Sequence, residues 1–223
     1  MKFLAVRAVP TVNWSSPHPL NFNPAADTLF FLVIGLVVFG MGEALLIASQ
    51  AGVSPWTVLA QGLGLQAGIS IGWATFVVSL FVLLFWIPLR QTPGLGTLLN
   101  AVIVSLMIEL SLPLLPVPEL YALRVGEAAL GVVIVGLGSG IYLVAQLGAG
   151  PRDGLMTGLQ RKTGLPIAGV RTGLELTAIT VGWLLGGTVG IGTVLFALGI
   201  GPSVSLGLFV VDKLAPGVEK NGS

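Results

Sequence analysis

Apolar residues gather along this chain in six long stretches: 28–49, 70–89, 94–115, 124–147, 167–186 and 189–211. Each approaches the roughly 20 mostly apolar residues that a helix needs to cross a bilayer. The pattern predicts six spanning helices. The first 26 residues differ, because Pro10, Pro17, Pro19 and Pro24 interrupt a polar segment that includes Asn13, Ser15, Ser16 and Asn21. The apolar run near Met1 is broken by Arg7 and is too short for a signal-peptide core. This segment reads as a tail, surface-bound or loosely ordered.

Charge then orients the spans, since cytoplasmic loops are enriched in Lys and Arg. With the N-terminus inside, the inner side receives Lys2, Arg7, Arg90, Arg152, Arg161, Lys162, Arg171, Lys213 and Lys220, and the outer side only Arg124. The expected organisation is therefore a cytoplasmic tail (1–27), three spans (28–115), an outer linker (116–123), three more spans (124–211) and a cytoplasmic C-terminal tail (212–223).

Composition agrees. Of 223 residues, 54% are apolar and 9% charged, against about 25% charged in an ordinary soluble domain; mean hydropathy is +0.98. Too little polar surface exists to solvate a globule, which excludes a soluble enzyme, a nucleic-acid binder and a disordered chain. The expected surroundings are a lipid bilayer. The 32 glycines suit close helix packing in lipid, and the absence of cysteine removes disulfides and thiolate metal sites.

The two halves resemble each other. GLVVFGMGEALLIASQAGVSPW, from Gly35, aligns without a gap on GVVIVGLGSGIYLVAQLGAGPR, from Gly131, and the same offset of 96 residues also relates Pro55 to Pro151. Gln50 falls on Gln146, Gly68 on Gly164, and Thr92, Gly94, Gly96 and Thr97 fall on Thr188, Gly190, Gly192 and Thr193. About 20 identities occur over about 67 positions. Three spans per half is an odd number, so the second copy must enter the membrane from the opposite side. The predicted fold is all-α, with two inverted three-helix repeats and a substrate path expected between them.

Candidate chemistry lies in the loops after the first and fourth spans and in ionisable groups within spans. Gly52-Val53-Ser54-Pro55 and Gly148-Ala149-Gly150-Pro151 each read as a glycine turn opening a helix, with Ser54 or Gly150 as N-cap and proline first in the helix. The following stretch ends at Gly68 or Gly164 and is too short to span. Each is a short interfacial or re-entrant helix, either a substrate-binding or gating element or a capped connector. Asp153 suits the first turn electrostatically.

Ionisable residues inside spans are costly and functional by default. Glu175 has Arg171 one turn earlier, which predicts an i,i+4 ion pair. Glu43 has no basic neighbour in sequence, and its repeat partner is Ser139; an unpaired carboxylate there is a candidate for proton exchange. Glu109 lies toward an outer helix end, as does Glu127 with Arg124 nearby. Glu43, Glu109, Arg152, Asp153, Arg171 and Glu175 are the candidate substrate or ion pathway. Gly182, Gly186 and Gly190 form a small-residue ridge of the kind that packs helices or joins a homodimer. Trp14, Trp56, Trp73, Trp86 and Trp183 read as interfacial anchors.

Catalytic constellations are missing. His18 is the only histidine and lies in the tail, Gly138-Ser139-Gly140 has no base beside it, no aspartate falls at mid-membrane, and no P-loop occurs. Neither an enzymatic activity, nor a cofactor, nor a metal site is expected.

GVSPWTVLAQGL and GAGPRDGLMTGLQRKTGL, followed by RTGLE, GWLLGG and VGIGTVLFALGIGP, resemble the YczE/YyaS/YitT family of bacterial integral membrane proteins, over about Gly35 to Val211. The family commonly carries an acidic residue where this chain has Thr57. The resemblance implies a bacterial inner-membrane protein, and some relatives are grouped with exporters of aminocoumarin antibiotics. Together with the repeat, it leads to the expectation of a secondary transporter or exporter of a small organic molecule, driven by protons. The alternative is a non-transporting scaffold or accessory partner of another membrane or cytoplasmic complex, with the basic run Arg152 to Lys162 also suited to anionic lipid.

Overall fold

A computed structural model describes residues 9–215. The predicted tail ends at 1–8 and 216–223, with Lys2, Arg7 and Lys220, lie outside the described residues. Among those described, every regular element is helical. The helices are α1 (Ala26–Ala48), α2 (Pro55–Ala67), α3 (Ile71–Trp86), α4 (Leu95–Ser111), α5 (Tyr121–Val144), α6 (Pro151–Thr163), α7 (Ile167–Leu184) and α8 (Ile191–Leu214), and a 3₁₀ turn Leu112–Leu114 extends α4.

Among the described residues, four helical segments are long and apolar enough to cross a membrane: Ala26–Ala48, Leu95–Leu114, Tyr121–Val144 and Ile191–Leu214. The pair Pro55–Ala67 and Ile71–Trp86 passes jointly, bent by 113°, which raises the count to five against the six stretches of the sequence pattern. The shortfall falls on corresponding helices of the two halves. α3 has only 16 residues, about 24 Å of rise. α7 has 18, and Arg171, Glu175 and its threonines and glycines dilute its apolarity.

The 96-residue correspondence extends to local geometry. α2 and α6 both have 13 residues, with proline in the first turn and a left-handed glycine, Gly68 or Gly164, at the C-cap. Gln50 and Gln146 have φ 52° and 54°, and Gly52 and Gly148 have φ 112° and 110°. Glycine is required at the latter pair, where the chain turns back at an angle that other residues rarely adopt. α4 and α8 both begin on a glycine N-cap whose N–H is bonded by a threonine, Thr97 or Thr193.

Packing between the halves is reciprocal. The Gly96 N–H donates to the Leu147 carbonyl at 2.8 Å, and the equivalent Gly192 N–H donates to the equivalent Ala51 carbonyl at 2.7 Å. α1 and α5 cross antiparallel through glycines: a Cβ on Gly35 would meet the Tyr142 backbone, and one on Gly42 the Val135 backbone. α5 and α8 run parallel, with Gly136 against Ser203 and Gly140 against Gly207. Gly182 of α7 lies against the Val58 backbone of α2, as Trp86 of α3 lies against Gly154 of α6. Each short helix is therefore covered by the other half.

Residues 9–25 do not form a loose tail. Val12 and Trp14 are buried in the main core cluster. The Ser15 hydroxyl donates to the Val144 carbonyl (2.7 Å), the Ser16 N–H to the Ala145 carbonyl (3.0 Å), and Trp14 stacks on Phe31 at 4.5 Å. Proline holds this segment extended while Ser15 and Ser16 satisfy carbonyls left open at the end of α5. Trp14 and Trp86 are thus core residues rather than anchors, whereas Trp73 and Trp183 are exposed as anchors require.

Candidate functional site

The loop after α1 folds back and brings the first turn of α2 alongside Glu43. Ser54 is the N-cap residue of α2, but its side chain does not cap the helix. Its hydroxyl lies 3.0 Å from Glu43 Oε2 and 2.8 Å from Thr57 Oγ1, and Thr57 Oγ1 donates to Glu43 Oε2 at 2.9 Å. Both hydroxyls are turned to the carboxylate and away from the N–H groups of the helix. Glu43 is 1% exposed, Ser54 and Thr57 are fully buried, and Glu43 Oε1 has no hydrogen-bond partner. A buried carboxylate oxygen without a partner is costly, so structures retain few of them.

The second half builds a related corner with different chemistry. Asp153 stands at the position equivalent to Thr57, in the first turn of α6. The Tyr142 hydroxyl, from α5, donates to Asp153 Oδ2 at 3.2 Å. The space at Gly150 opens toward Asp153, Tyr142 and the Asn100 amide of α4. Ser139, the counterpart of Glu43, donates instead to the Val135 carbonyl one turn back (2.7 Å).

The two corners meet. The Arg152 guanidinium lies over the Trp56 ring, 5.7 Å from its centroid, within cation–π range. Trp56 and Arg152 occupy equivalent places in α2 and α6, so the first turns of the short helices face each other. Glu43, Asp153 and Glu175 are all close enough to act electrostatically on Arg152, and Arg171 and Glu175 act on Asp153. Arg171 Nε pairs with Glu175 Oε1 at 2.9 Å, the i,i+4 bridge that the spacing predicts. Five of the six sequence-selected pathway residues therefore belong to one neighbourhood: Glu43, Arg152, Asp153, Arg171 and Glu175.

Glu109 does not join them. It accepts a bond from the Ser70 hydroxyl at 2.6 Å and lines an apolar groove of about 230 Å³ between α3 and α4 with Gly72, Trp73 and Phe76. Arg124 reaches the Pro118 carbonyl at 2.7 Å instead of an acid. The motif residues Gly52, Ser54, Pro55, Gly148, Gly150 and Pro151 shape both corners. Gly52 packs on Gly190, and Gly148 on the Thr97 hydroxyl and Gly94. Among the described residues no group of His, Cys, Asp or Glu is placed to hold a metal ion.

Sequence reasoning missed Trp56, Thr57, Tyr142 and Asn100 as site residues. The available signal was the repeat itself: Trp56 aligns with Arg152 and Thr57 with Asp153, so marking one copy's charged positions on the other would have found two of the four.

The model of a family of unknown function, DUF6198, matches residues 26–207. The chain belongs to that family. An uncharacterized protein of Haemophilus influenzae is 39% identical over 209 residues, covering 94% of this chain and 95% of its own length. The Bacillus subtilis uncharacterized membrane protein YczE is 37% identical over 170 residues, 75% of this chain and 79% of its own. YyaS of the same organism is 27% identical over 192 residues, 84% of this chain and 92% of its own. The chain is a YczE-like bacterial membrane protein, and no solved structure matches it. The family match takes in α1 to α7 and most of α8, and with them every residue of the paired corners.

Proposed function

We propose that this protein is a secondary transporter that exports or imports a small polar organic molecule across the bacterial inner membrane, coupled to protons. The chain crosses six times in this reading, with both termini cytoplasmic, and α2 and α6 are re-entrant helices opposed at the centre. The antiparallel packing of the equivalent helices α1 and α5 supports inversion of one half relative to the other. A twofold axis relating antiparallel helices lies perpendicular to them, hence in the membrane plane. The reciprocal Gly96–Leu147 and Gly192–Ala51 bonds are what such an axis requires.

The observation that carries the functional reading is the buried Glu43, with Oε1 unpartnered, at the start of α2, where Arg152 of the other half lies over Trp56. Irregular backbone at membrane depth is tolerated where it is enclosed by protein or lines a cavity, and short helices opposed there are a recurrent way to build a transport site. Glu43, Asp153 and Glu175 against Arg152 and Arg171 leave one net negative charge with every group ionised, and a proton on Glu43 removes it. Proton uptake at Oε1 would neutralise the centre as the two halves rock, while Arg152 and Asp153 engage the polar parts of the substrate.

The test is gradient-driven uptake by purified protein in liposomes, across a broad panel of amines, amino acids, organic acids and heterocycles. The expected result is uptake of at least one class with proton movement of matching stoichiometry. Absence of both across the panel overturns the proposal.

A further inference from the structure

A second polar site lies away from the centre, where the α3–α4 turn meets the last turn of α6. A cleft of about 480 Å³ there is lined by Pro88, Leu89, Arg90, Gln91, Gly158, Arg161 and Lys162. Its three cations are exposed, and the only ion pair among the described residues is Arg171–Glu175. We propose that this cleft binds a phosphate group, presented by an anionic phospholipid headgroup or by a soluble phosphate compound, and that the bound phosphate bridges Arg90 of the first half to Arg161 and Lys162 of the second.

The repeat supplies an internal comparison. At the equivalent place in the other half the α7–α8 turn meets the end of α2, and the corresponding residues are Gly186, Leu65 and Gln66. There the polar side chains close onto the turn. Gln66 Nε2 donates to the Leu185 carbonyl (3.0 Å), and Gln61 Oε1 accepts from the Thr188 N–H (2.8 Å). A Cβ on Gly62 would lie 2.8 Å from Leu185 Cβ, and one on its counterpart Gly158 would lie 3.2 Å from the equivalent Leu89 Cβ. The same backbone frame is sealed in one copy and is an open basic cleft in the other.

Arg90 brings a cation of the first half to the cleft that Arg161 and Lys162 of the second half line. Its φ is +52°, where the equivalent residue is Gly186 at +101°. Gln50 and Gln146 share this left-handed conformation, so the φ of Arg90 belongs to the turn. Arg161 and Lys162 alone would be accounted for by the carbonyl end of α6. Arg90 stands just past the carbonyl end of α3, so two helix ends, one from each half, bring their cations to one cleft. Three exposed cations lining one cleft offer the charge and the N–H donors that a phosphate group takes.

The experiment uses the full chain in uncharged detergent and compares it with Arg90→Gly/Arg161→Gln/Lys162→Gln. Binding of phosphatidylglycerol, phosphatidylcholine and inorganic pyrophosphate is measured for each by native mass spectrometry and calorimetry. Each cation near an anionic surface contributes about 1 kcal/mol, or about fivefold, so the triple variant loses phosphatidylglycerol or pyrophosphate binding by about a hundredfold. Phosphatidylcholine is unaffected. Loss for phosphatidylglycerol alone identifies a lipid headgroup, and loss for pyrophosphate too identifies a soluble phosphate. Arg124→Gln/Lys213→Gln, which removes two cations elsewhere, leaves binding unchanged. Lys162→Gln, on the exposed surface of α6, is the second variant should the triple one fail to fold, and it loses about fivefold. Equal binding by wild type and variants, no preference for phosphate over phosphatidylcholine, or equal loss in the Arg124/Lys213 control overturns the proposal.

Discussion

The Arg152 guanidinium lies 5.7 Å from the centre of the Trp56 ring, and these two residues are equivalent positions of the two halves. In the proposed inverted repeat, residues related by the twofold can touch each other only beside its axis. On that proposal the contact marks where the halves are opposed, and it joins a cation from one to an aromatic face from the other. Replacing Arg152 by Lys keeps the charge and loses the planar stacking; replacing Trp56 by Leu removes the ring. Each single change, and the double change, is expected to cost about 0.5–2 kcal/mol, the double costing less than the sum of the singles. A thermal-melt double-mutant cycle in detergent measures the coupling.

Glu43→Gln preserves shape and hydrogen bonding to Ser54 and Thr57, so the variant is expected to fold with a melting temperature near wild type. It is also expected to lose proton-coupled flux while keeping substrate binding. Thr57→Val acts differently: it takes a donor from a buried carboxylate, and a loss of about 1–3 kcal/mol is expected. Melting curves beside flux at two pH values distinguish the two effects.

Helix packing makes an opposite pair of predictions at two glycines. A Cβ at Gly138 would strike the Phe39 backbone where α5 crosses α1, and backbone cannot move aside as a side chain does. Gly138→Ala is expected to destabilise the protein by about 1–3 kcal/mol or more. At Gly173, within α7, nothing lies within 4 Å, so Gly173→Ala is expected to be neutral or stabilising by up to about 1 kcal/mol. Comparative melting in one detergent decides both.

Trp86 fills the face of α6 at Gly154 and donates Nε1–H to the Pro151 carbonyl at 2.9 Å. Trp86→Phe forfeits that bond, at about 1 kcal/mol, and Trp86→Ala leaves a cavity that costs about 3–5 kcal/mol. Both are read by unfolding in denaturant, with helical circular dichroism as the signal.

Much of this arrangement was legible in the chain. Proline after Ser54 and Gly150 fixed where α2 and α6 begin, Gly68 and Gly164 where they end, and the spacing of Arg171 and Glu175 their ion pair. What sequence could not supply were contacts between distant segments. Ser54 reads as a helix cap because capping is local, but a carboxylate 11 residues earlier competes for the same hydroxyl. Residues 9–25 read as a loose tail because their composition is polar and proline-rich, yet Trp14 and Ser16 find partners on Phe31 and Ala145 that no local pattern announces. Glu109 reads together with Glu43 because both lie toward the C-terminal ends of their helices; in the fold Glu109 turns instead to Ser70 and the groove between α3 and α4.

The central claim is that the two halves enter the membrane from opposite sides and so place α2 and α6 head to head. The chain contains no cysteine, so single cysteines can be introduced without removing any. The most direct measurement labels Gln66→Cys and Lys162→Cys, equivalent positions at the ends of α2 and α6, with a membrane-impermeant maleimide on intact and on inverted vesicles. The account predicts that the Gln66 site labels only from the outside and the Lys162 site only from the cytoplasmic side. Labelling of both from the same side would contradict it.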